Sequence, residues 1–414
     1  MTSNKALLSI LALAAATGLH AQTSSNSPYT RFGLGDLSDQ VFTNNAAMGG
    51  IGYGLRSKDQ INPMNPASYS AVDSLSFMLD TGMSLRNSNY SEGNVQNNAK
   101  NASFDYVAMQ FRLHPRLGMA IGFTPFSTVG YAFSKTSSIE NSSVTVTNTF
   151  AGEGGLQQIF GGLGFKVTRN LSIGANMGYL YGSLKYGTTA TLSNGGDYTV
   201  NYLNIKVNSY KADFGMQYTH PINKKNSLTF GLTYGLGHNL KSTAEQGTQM
   251  TTGTDSIVVN DAYSLPHSFG LGVVWQHNNQ WTIGADYALQ KWGDAKYYSN
   301  WGERYKDRTK VAVGMEYLPN ATGRRYFSRI RYRVGAYYNT TYLRLPEGDG
   351  PKEYSVSAGF GLPLNLFQRN SILNITGQYV RSQASQNQLL SENRFVLKIG
   401  LTFNERWFMK FRVQ

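Results

Sequence analysis

Residues 226–236, Asn-Ser-Leu-Thr-Phe-Gly-Leu-Thr-Tyr-Gly-Leu, alternate between apolar and small or polar side chains. A period of two places Leu228, Phe230 and Leu232 on one face of a pleated strand and Thr229 on the opposite face. The stretch therefore predicts a β-strand with one apolar face and one face of small or polar side chains.

The same alternation recurs along the chain, and helical spacing is found only in the first twenty residues. It predicts an all-β protein of fourteen antiparallel strands, the even number that bacterial membrane barrels require. The predicted strands are 74–86, 103–113, 117–126, 156–167, 170–187, 200–219, 226–240, 264–276, 280–291, 308–318, 328–343, 352–364, 370–383 and 392–404.

The predicted connections are of two kinds, which alternate along the chain. Short ones, such as 114–116 and 168–169, carry basic residues, whereas the longer ones are 87–102, 127–155, 241–263 and 292–307. Short periplasmic turns and long extracellular loops are typical of outer-membrane barrels. The alternation therefore favours a transmembrane barrel over a soluble sandwich.

Composition agrees with this prediction. The 414 residues include 44 Gly, 27 Tyr and 21 Phe, only 15% are charged, and no cysteine is present. No apolar run of about twenty residues follows the N-terminus, so no spanning helix is predicted. The net charge of +13 is spread over turns rather than gathered in runs, so no nucleic-acid partner is expected.

The N-terminus predicts export. Lys5 precedes an apolar stretch at 6–16, and Leu19-His20-Ala21 is a plausible cleavage site before Gln22. We therefore predict a signal peptide at 1–21, a mature protein in the outer membrane, and a barrel over 72–404. The tail 405–414 could return into the lumen or extend into the periplasm.

Residues 22–71 lack sustained alternation and are interrupted by Gly and Pro. They could form a periplasmic tail or a plug, and the width of a fourteen-stranded lumen favours a plug. Aromatic residues near predicted strand ends favour interfacial girdles. They are Tyr181, Tyr186, Trp275, Trp281, Trp292 and Trp407.

Several short motifs resemble the FadL-like outer-membrane transport proteins, in a branch typical of Bacteroidetes. Ala47-Met48-Gly49-Gly50-Ile51-Gly52 precedes Asn62-Pro63-Met64-Asn65-Pro66-Ala67-Ser68, which is similar to the family's N-terminal hatch. Thr124-Pro125-Phe126 resembles its Pro-Phe at a strand-three kink. The resemblance implies a hatch at 22–71 that includes Met48, Gly49, Asn65, Pro66 and Ala67, and a lateral gate at Pro125 and Phe126.

The resemblance further implies passive uptake of small hydrophobic compounds, such as long-chain fatty acids, with lateral release into the membrane. Related barrels instead serve secretion or envelope assembly, so a non-transporting subunit that docks other envelope proteins is the alternative. No catalytic triad or zinc spacing is present, so we expect no enzyme activity, no metal and no cofactor. The expected partners are outer-membrane lipid, a hydrophobic ligand or envelope proteins.

Two positions leave alternatives open. Pro125 either loosens strand pairing or simply ends the third strand. Arg329, Arg331 and Arg333 are predicted to share the inward face of the eleventh strand, because arginine facing lipid at mid-depth costs about 2–4 kcal/mol. They either pair with acids such as Asp36, Asp59, Asp73 or Asp80, or bind an anionic head group.

Overall fold

A computed structural model of the protein describes residues 25–74, 76–195, 198–298, 304–345, 348–364, 371–383 and 390–406. The predicted signal peptide and residues 407–414, which include Trp407, lie outside these ranges, whereas Glu405 and Arg406 of the predicted tail belong to the last strand. Within the described ranges, no helix is long and apolar enough to span a bilayer.

Fourteen antiparallel strands form a closed barrel, which confirms the predicted fold class. The ring closes where the first strand pairs with the last, from Ser76–Arg406 to Ser91–Ser391. The strands are β1 Ser76–Glu92, β2 Val95–His114, β3 Leu117–Ser138, β4 Thr145–Lys166, β5 Leu171–Leu192, β6 Thr199–Pro221, β7 Asn226–Gly235, β8 Ser268–His277, β9 Trp281–Gln290, β10 Arg308–Tyr317, β11 Arg331–Asn339, β12 Lys352–Leu364, β13 Ser371–Gln383 and β14 Ser391–Arg406.

The apolar face of the strands points outward. Leu232, Leu271 and Val313 are about half exposed, although each lies in the middle of a strand. Their neighbours on the opposite face are buried against the interior. An apolar belt on the outside of a closed barrel is the surface that acyl chains cover, and closure leaves no free edge in the lipid.

Trp275 and Trp281 lie at the turn end of this belt, where Trp281 stacks on Tyr317, as a girdle requires. Trp292 and Tyr186 do not belong to a girdle. Both are buried in an apolar cluster at the opposite end of the barrel, so for them the expected position was wrong.

The long loops were predicted incorrectly, because three of them are largely strands. β2 begins at Val95, β3 continues to Ser138, and a hairpin of Ser242–Met250 and Gly253–Asn260 extends the edge of β6. These extensions are rich in Ser, Thr and Asn and stand beyond the belt. Without an apolar face they lack the periodic signal, and cross-strand pairing forms them instead.

Short elements cover this loop end of the barrel. The helical turn Trp292–Asp294 lies beside two small sheets, one made of His238–Asn239 with Ser264–Leu265 and the other of Arg304–Tyr305, Leu343–Leu345 and Gly348–Asp349. At the turn end, Tyr326–Arg329 forms a 3-10 helix before β11.

The N-terminal segment, residues 25–72, runs along the inward faces of the strands. It contains the 3-10 helices Pro28–Arg31 and Pro66–Ala71, the two-residue strand Asp36–Leu37 and the short helix Thr43–Ala46. Its apolar side chains, such as Leu34 and Ile51, are fully buried. The lumen is therefore occupied by the protein's own chain.

A charge placed on the belt tests this orientation. We expect Val313→Arg to make folding into lipid vesicles less favourable by about 2–4 kcal/mol, since Val313 faces lipid at mid-depth. Thr309→Arg, on the same face but near the strand end, should cost about 0–1 kcal/mol. Equal costs at the two positions would contradict the assignment of the belt.

Candidate functional site

The interface between the N-terminal segment and the barrel wall is the candidate site. On twelve strands an inward-facing glycine lies so close to the segment that a Cβ atom there would meet it. These glycines are Gly82, Gly118, Gly164, Gly174, Gly215, Gly231, Gly272, Gly284, Gly314, Gly335, Gly359 and Gly400. Backbone can approach backbone this closely only where side chains are missing, so the fit surrounds the segment on all sides.

The Met48-Gly49 turn rests on β10 and β11. Gly49 has a φ of +68°, a left-handed conformation that glycine adopts without strain. Its amide donates to the Ser357 hydroxyl at 3.1 Å. A Cβ on Gly335 would lie 2.7 Å from the Met48 carbonyl oxygen, so this turn cannot accept a larger wall residue without moving.

Asp286 on β9 holds the next turn. Its carboxylate accepts hydrogen bonds from the amides of Gly52 at 2.6 Å and Tyr53 at 2.9 Å. The sequence suggested no role for Asp286. Its position on the polar face of β9 was the available signal, since a charge facing the lumen needs a partner.

The Asn-Pro-Ala motif begins the second 3-10 helix. The Asn65 side chain accepts from the Ala67 amide at 3.1 Å and so caps the helix, with Pro66 in its first turn. The same side chain donates to the Tyr53 carbonyl at 2.8 Å and to the Met216 carbonyl of β6 at 3.1 Å. One amide therefore joins the helix, the neighbouring turn and the wall.

Ion pairs also fasten the segment to the wall. Asp36 lies 3.7 Å from Arg86 and 3.6 Å from Arg394. Asp39 lies 3.0 Å from Arg308 and 2.6 Å from Lys310. Burial alone would raise the pKa of Asp39, but these two cations hold that pKa well below its ordinary value.

The predicted arginine row is divided. Arg331 and Arg333 face inward, and both bind Glu316 of β10, at 3.2 and 2.7 Å. Arg331 also binds Asp59 of the segment at 2.6 Å, one of the acids expected as a partner. Arg329 does not share the strand face as predicted, because it ends the 3-10 helix Tyr326–Arg329, where its side chain lies over the ring of Tyr326.

Pro125 marks a gap in the wall. β2 and β3 pair from His114–Leu117 up to Val107–Phe123, and within the described strands their pairing goes no further. β3 does not end at Pro125. Beyond Pro125 the strand continues and, among the barrel strands that the structure describes, pairs only with β4. The register of that pairing shifts between Pro125 and Ser127. Beyond Phe123, the edge of β3 that faces β2 therefore has no hydrogen-bond partner among the described barrel strands.

The N-terminal segment covers that edge of β3. Asp36–Leu37 pair with Thr128 and Ser127 as a short strand, and the Ser38 amide donates to the Phe126 carbonyl at 2.9 Å. The backbone groups that the bulge at Pro125 releases thus find partners within the chain, as groups in a membrane wall must. Pro125 and Phe126, the predicted gate, lie beside this covering strand.

Side chains at the loop end of the barrel also hold residues 33–35 of the N-terminal segment. Tyr342 donates to the Gly35 carbonyl at 2.5 Å, and Tyr186 donates to the Gly33 carbonyl at 3.0 Å. Leu34 packs into the apolar cluster of that end, together with Trp292 and Tyr263. Residues 33–38 are therefore fixed both to the gap and to the cluster above it.

Two cavities between the described parts of the segment and the wall are small and lined by charged side chains. One of about 80 Å³ is lined by Asp36, Arg308 and Arg394, and another of about 80 Å³ by Glu316 and Arg331. Sites for drug-sized ligands measure roughly 300–1,000 Å³ and are mostly apolar. In the described part of the chain, no group of three or more acidic or histidine side chains could hold a metal ion.

Comparisons with known proteins agree with this architecture. The BamG family model matches residues 3–414, whereas no curated protein matches the sequence. The Pseudomonas aeruginosa FadL homologue is similar to this chain at 14% identity and a TM-score of 0.58, over 89% of this chain and 99% of that one.

Two toluene transporters share the fold as well. TbuX of Ralstonia pickettii is similar at 15% identity and a TM-score of 0.56, over 89% of this chain and 98% of that one. TodX of Pseudomonas putida is similar at 14% identity and a TM-score of 0.58, over 88% and 98%. The predicted FadL-like fold is therefore confirmed.

A methyl group on the wall tests the tightness of the fit. Gly335→Ala should lower the free energy of unfolding by about 1–3 kcal/mol, the usual cost of overpacking, and should speed trypsin cleavage of the N-terminal segment. Gly161→Ala is the matched control, because nothing lies within 4 Å of a Cβ there. Equal behaviour of the two variants would show that the segment is loosely held.

The depressed pKa of Asp39 makes its contribution depend on pH. The stabilisation should be complete above its unfolded pKa of about 3.9 and should be lost as pH falls through the lower folded pKa. Asp39→Asn should therefore cost about 1.5–3 kcal/mol at pH 7 and progressively less below pH 4, as measured by unfolding. Asp255→Asn, on the exposed hairpin, should change little at either pH.

Proposed function

This chain belongs to the BamG family, and from that premise we propose that it is an outer-membrane barrel with a permanently filled lumen, which serves as a docking subunit of an envelope assembly or secretion complex. The described residues 25–71 act in this proposal as a fixed plug rather than a moving hatch. The mature chain begins after a cleaved signal peptide, and no catalytic step or cofactor is involved.

The observation that carries the proposal is the fit of the segment to the wall. A hatch that moves during transport has to leave its contacts in each cycle. Here glycines on twelve strands meet the segment, and Asp36, Asp39 and Asp59 form ion pairs with wall cations. Losing a hydrogen bond to a charged group costs about 1.5–3 kcal/mol, so moving the segment as a whole would break several such contacts at once.

The charged cavities support the same proposal. A long-chain fatty acid needs a continuous apolar pocket, whereas the two cavities described above are small and lined by ion-paired side chains. The guanidinium groups of Arg331 and Arg333 already bind Glu316. A ligand carboxylate would have to displace that glutamate.

Passive uptake of small hydrophobic compounds is the second candidate. The gap between β2 and β3 favours it, since Phe123 and the bulge at Pro125 lie at the lipid-facing wall. The structural relatives TbuX and TodX are toluene transporters. In this chain, uptake requires that residues 33–38 leave the edge of β3.

Purified barrel in phosphatidylcholine vesicles, with toluene as the probe, tests the two candidates. The docking proposal predicts that toluene entry equals that of empty vesicles, and that the barrel purifies from mild detergent with other envelope proteins at fixed stoichiometry. Toluene entry at least tenfold above empty vesicles, abolished when a disulfide joins Leu37→Cys to Ser127→Cys, would instead establish lateral uptake.

A further inference from the structure

Four of the five described strand-to-strand turns at the turn end of the barrel carry basic residues. The turns 115–116, 167–170, 222–225, 278–280 and 318–330 contain no Asp or Glu. Six basic residues on them are exposed, and we call these residues the turn-end bases. They are Arg116, Arg169, Lys224, Lys225, Arg324 and Arg325.

The turn-end bases differ from the basic residues of the loop end. At the loop end, Lys185 pairs with Glu153, Lys291 with Asp307, and Lys306 with Asp349, at 2.6–3.1 Å. Among the described residues, none of the turn-end bases is within ion-pair distance of an acid. Exposed Lys100, Lys135, Lys206 and Lys241 at the loop end likewise form no ion pair with a described acid, but the loop-end connections also contain acids such as Glu140 and Asp255, whereas the turns that carry the turn-end bases contain none.

The turn-end bases lie on two opposite sides of the mouth of the barrel. They occupy the connections β2–β3, β4–β5, β6–β7 and β10–β11. Exposed Lys58 belongs to the N-terminal segment, which the wall separates from lipid. Phospholipid head groups can reach the rim but not Lys58 within it, so only a protein face can contact Lys58 together with the turn-end bases.

Resting on the docking role proposed above, we propose that the turn-end bases bind an acidic face of a periplasmic protein. Exposed charges of one sign attract a complementary surface over long range and accelerate its association. Each exposed ion pair contributes only about 0.2–1 kcal/mol. Several pairs together therefore give a contact that high salt weakens strongly.

A photo-crosslinking residue at Asn223, between the turn-end bases, tests the proposal in intact cells. We expect it to crosslink to one protein with an acidic surface. The yield should fall at least tenfold when Lys224, Lys225, Arg324 and Arg325 are all replaced by Glu. Replacing the exposed loop-end residues Lys100, Lys135, Lys206 and Lys241 by Glu is the matched control and should leave the yield unchanged.

A second measurement uses purified barrel in phosphatidylcholine nanodiscs and a fluorescent decaglutamate peptide. Peptide binding should weaken at least tenfold between 50 and 500 mM salt. It should weaken similarly in the Lys224→Gln, Lys225→Gln variant. This milder change keeps the test available if replacing four basic residues by Glu prevents assembly of the barrel. Crosslinks to lipid alone, or a yield that survives charge reversal, would overturn the proposal.

The two proposals fail in different ways. A barrel that still purifies with its envelope partners after charge reversal, with an unchanged crosslink, would exclude the turn end as the docking surface and leave the docking role intact. A barrel that purifies alone and admits toluene would remove the docking role itself.

Discussion

Every backbone amide and carbonyl in a lipid-facing wall needs a hydrogen-bond partner inside the protein. Closure of the fourteen strands provides these partners around most of the ring. It stops between β2 and β3 above Val107–Phe123, where the chain uses its own Asp36–Leu37 as a substitute strand. The N-terminal segment is therefore part of the wall as well as the content of the lumen, and this double role restricts how far it can move.

The polar faces of the strands show how the two roles are combined. A lumen filled with water favours polar side chains, whereas a lumen filled with protein needs space for backbone. The inward glycines provide that space, and Asp286, Ser357 and Gln217 donate or accept hydrogen bonds where the segment exposes amides and carbonyls. In 226–236, the Gly and Thr positions opposite Leu and Phe thus let the wall lie directly against the segment, where Gly231 meets Tyr53.

The sequence predicts the barrel well because each membrane-spanning strand carries its own signal. Leu228, Phe230 and Leu232 face lipid because they alternate with polar or small residues within one short stretch. Fourteen such stretches can therefore be counted without any long-range information. The extensions above the belt carry no apolar face and were missed. Asp36–Leu37 is too short to show a period, and its partner lies about ninety residues away in sequence. Arg329 seemed to continue the alternation of β11, but the strand begins two residues later.

The fold of a channel does not determine whether the channel conducts. Twelve glycines and three ion-paired aspartates hold the segment in place, while the interrupted pairing at Pro125 retains a potential lateral opening. The free energy that holds residues 33–38 against β3, Tyr186 and Tyr342 decides whether the barrel stays closed or opens laterally. Because Leu34 is buried in the apolar cluster with Trp292, opening the gap exposes apolar surface to water in addition to breaking hydrogen bonds. Both terms favour the closed barrel, which is the state that the proposed docking role requires.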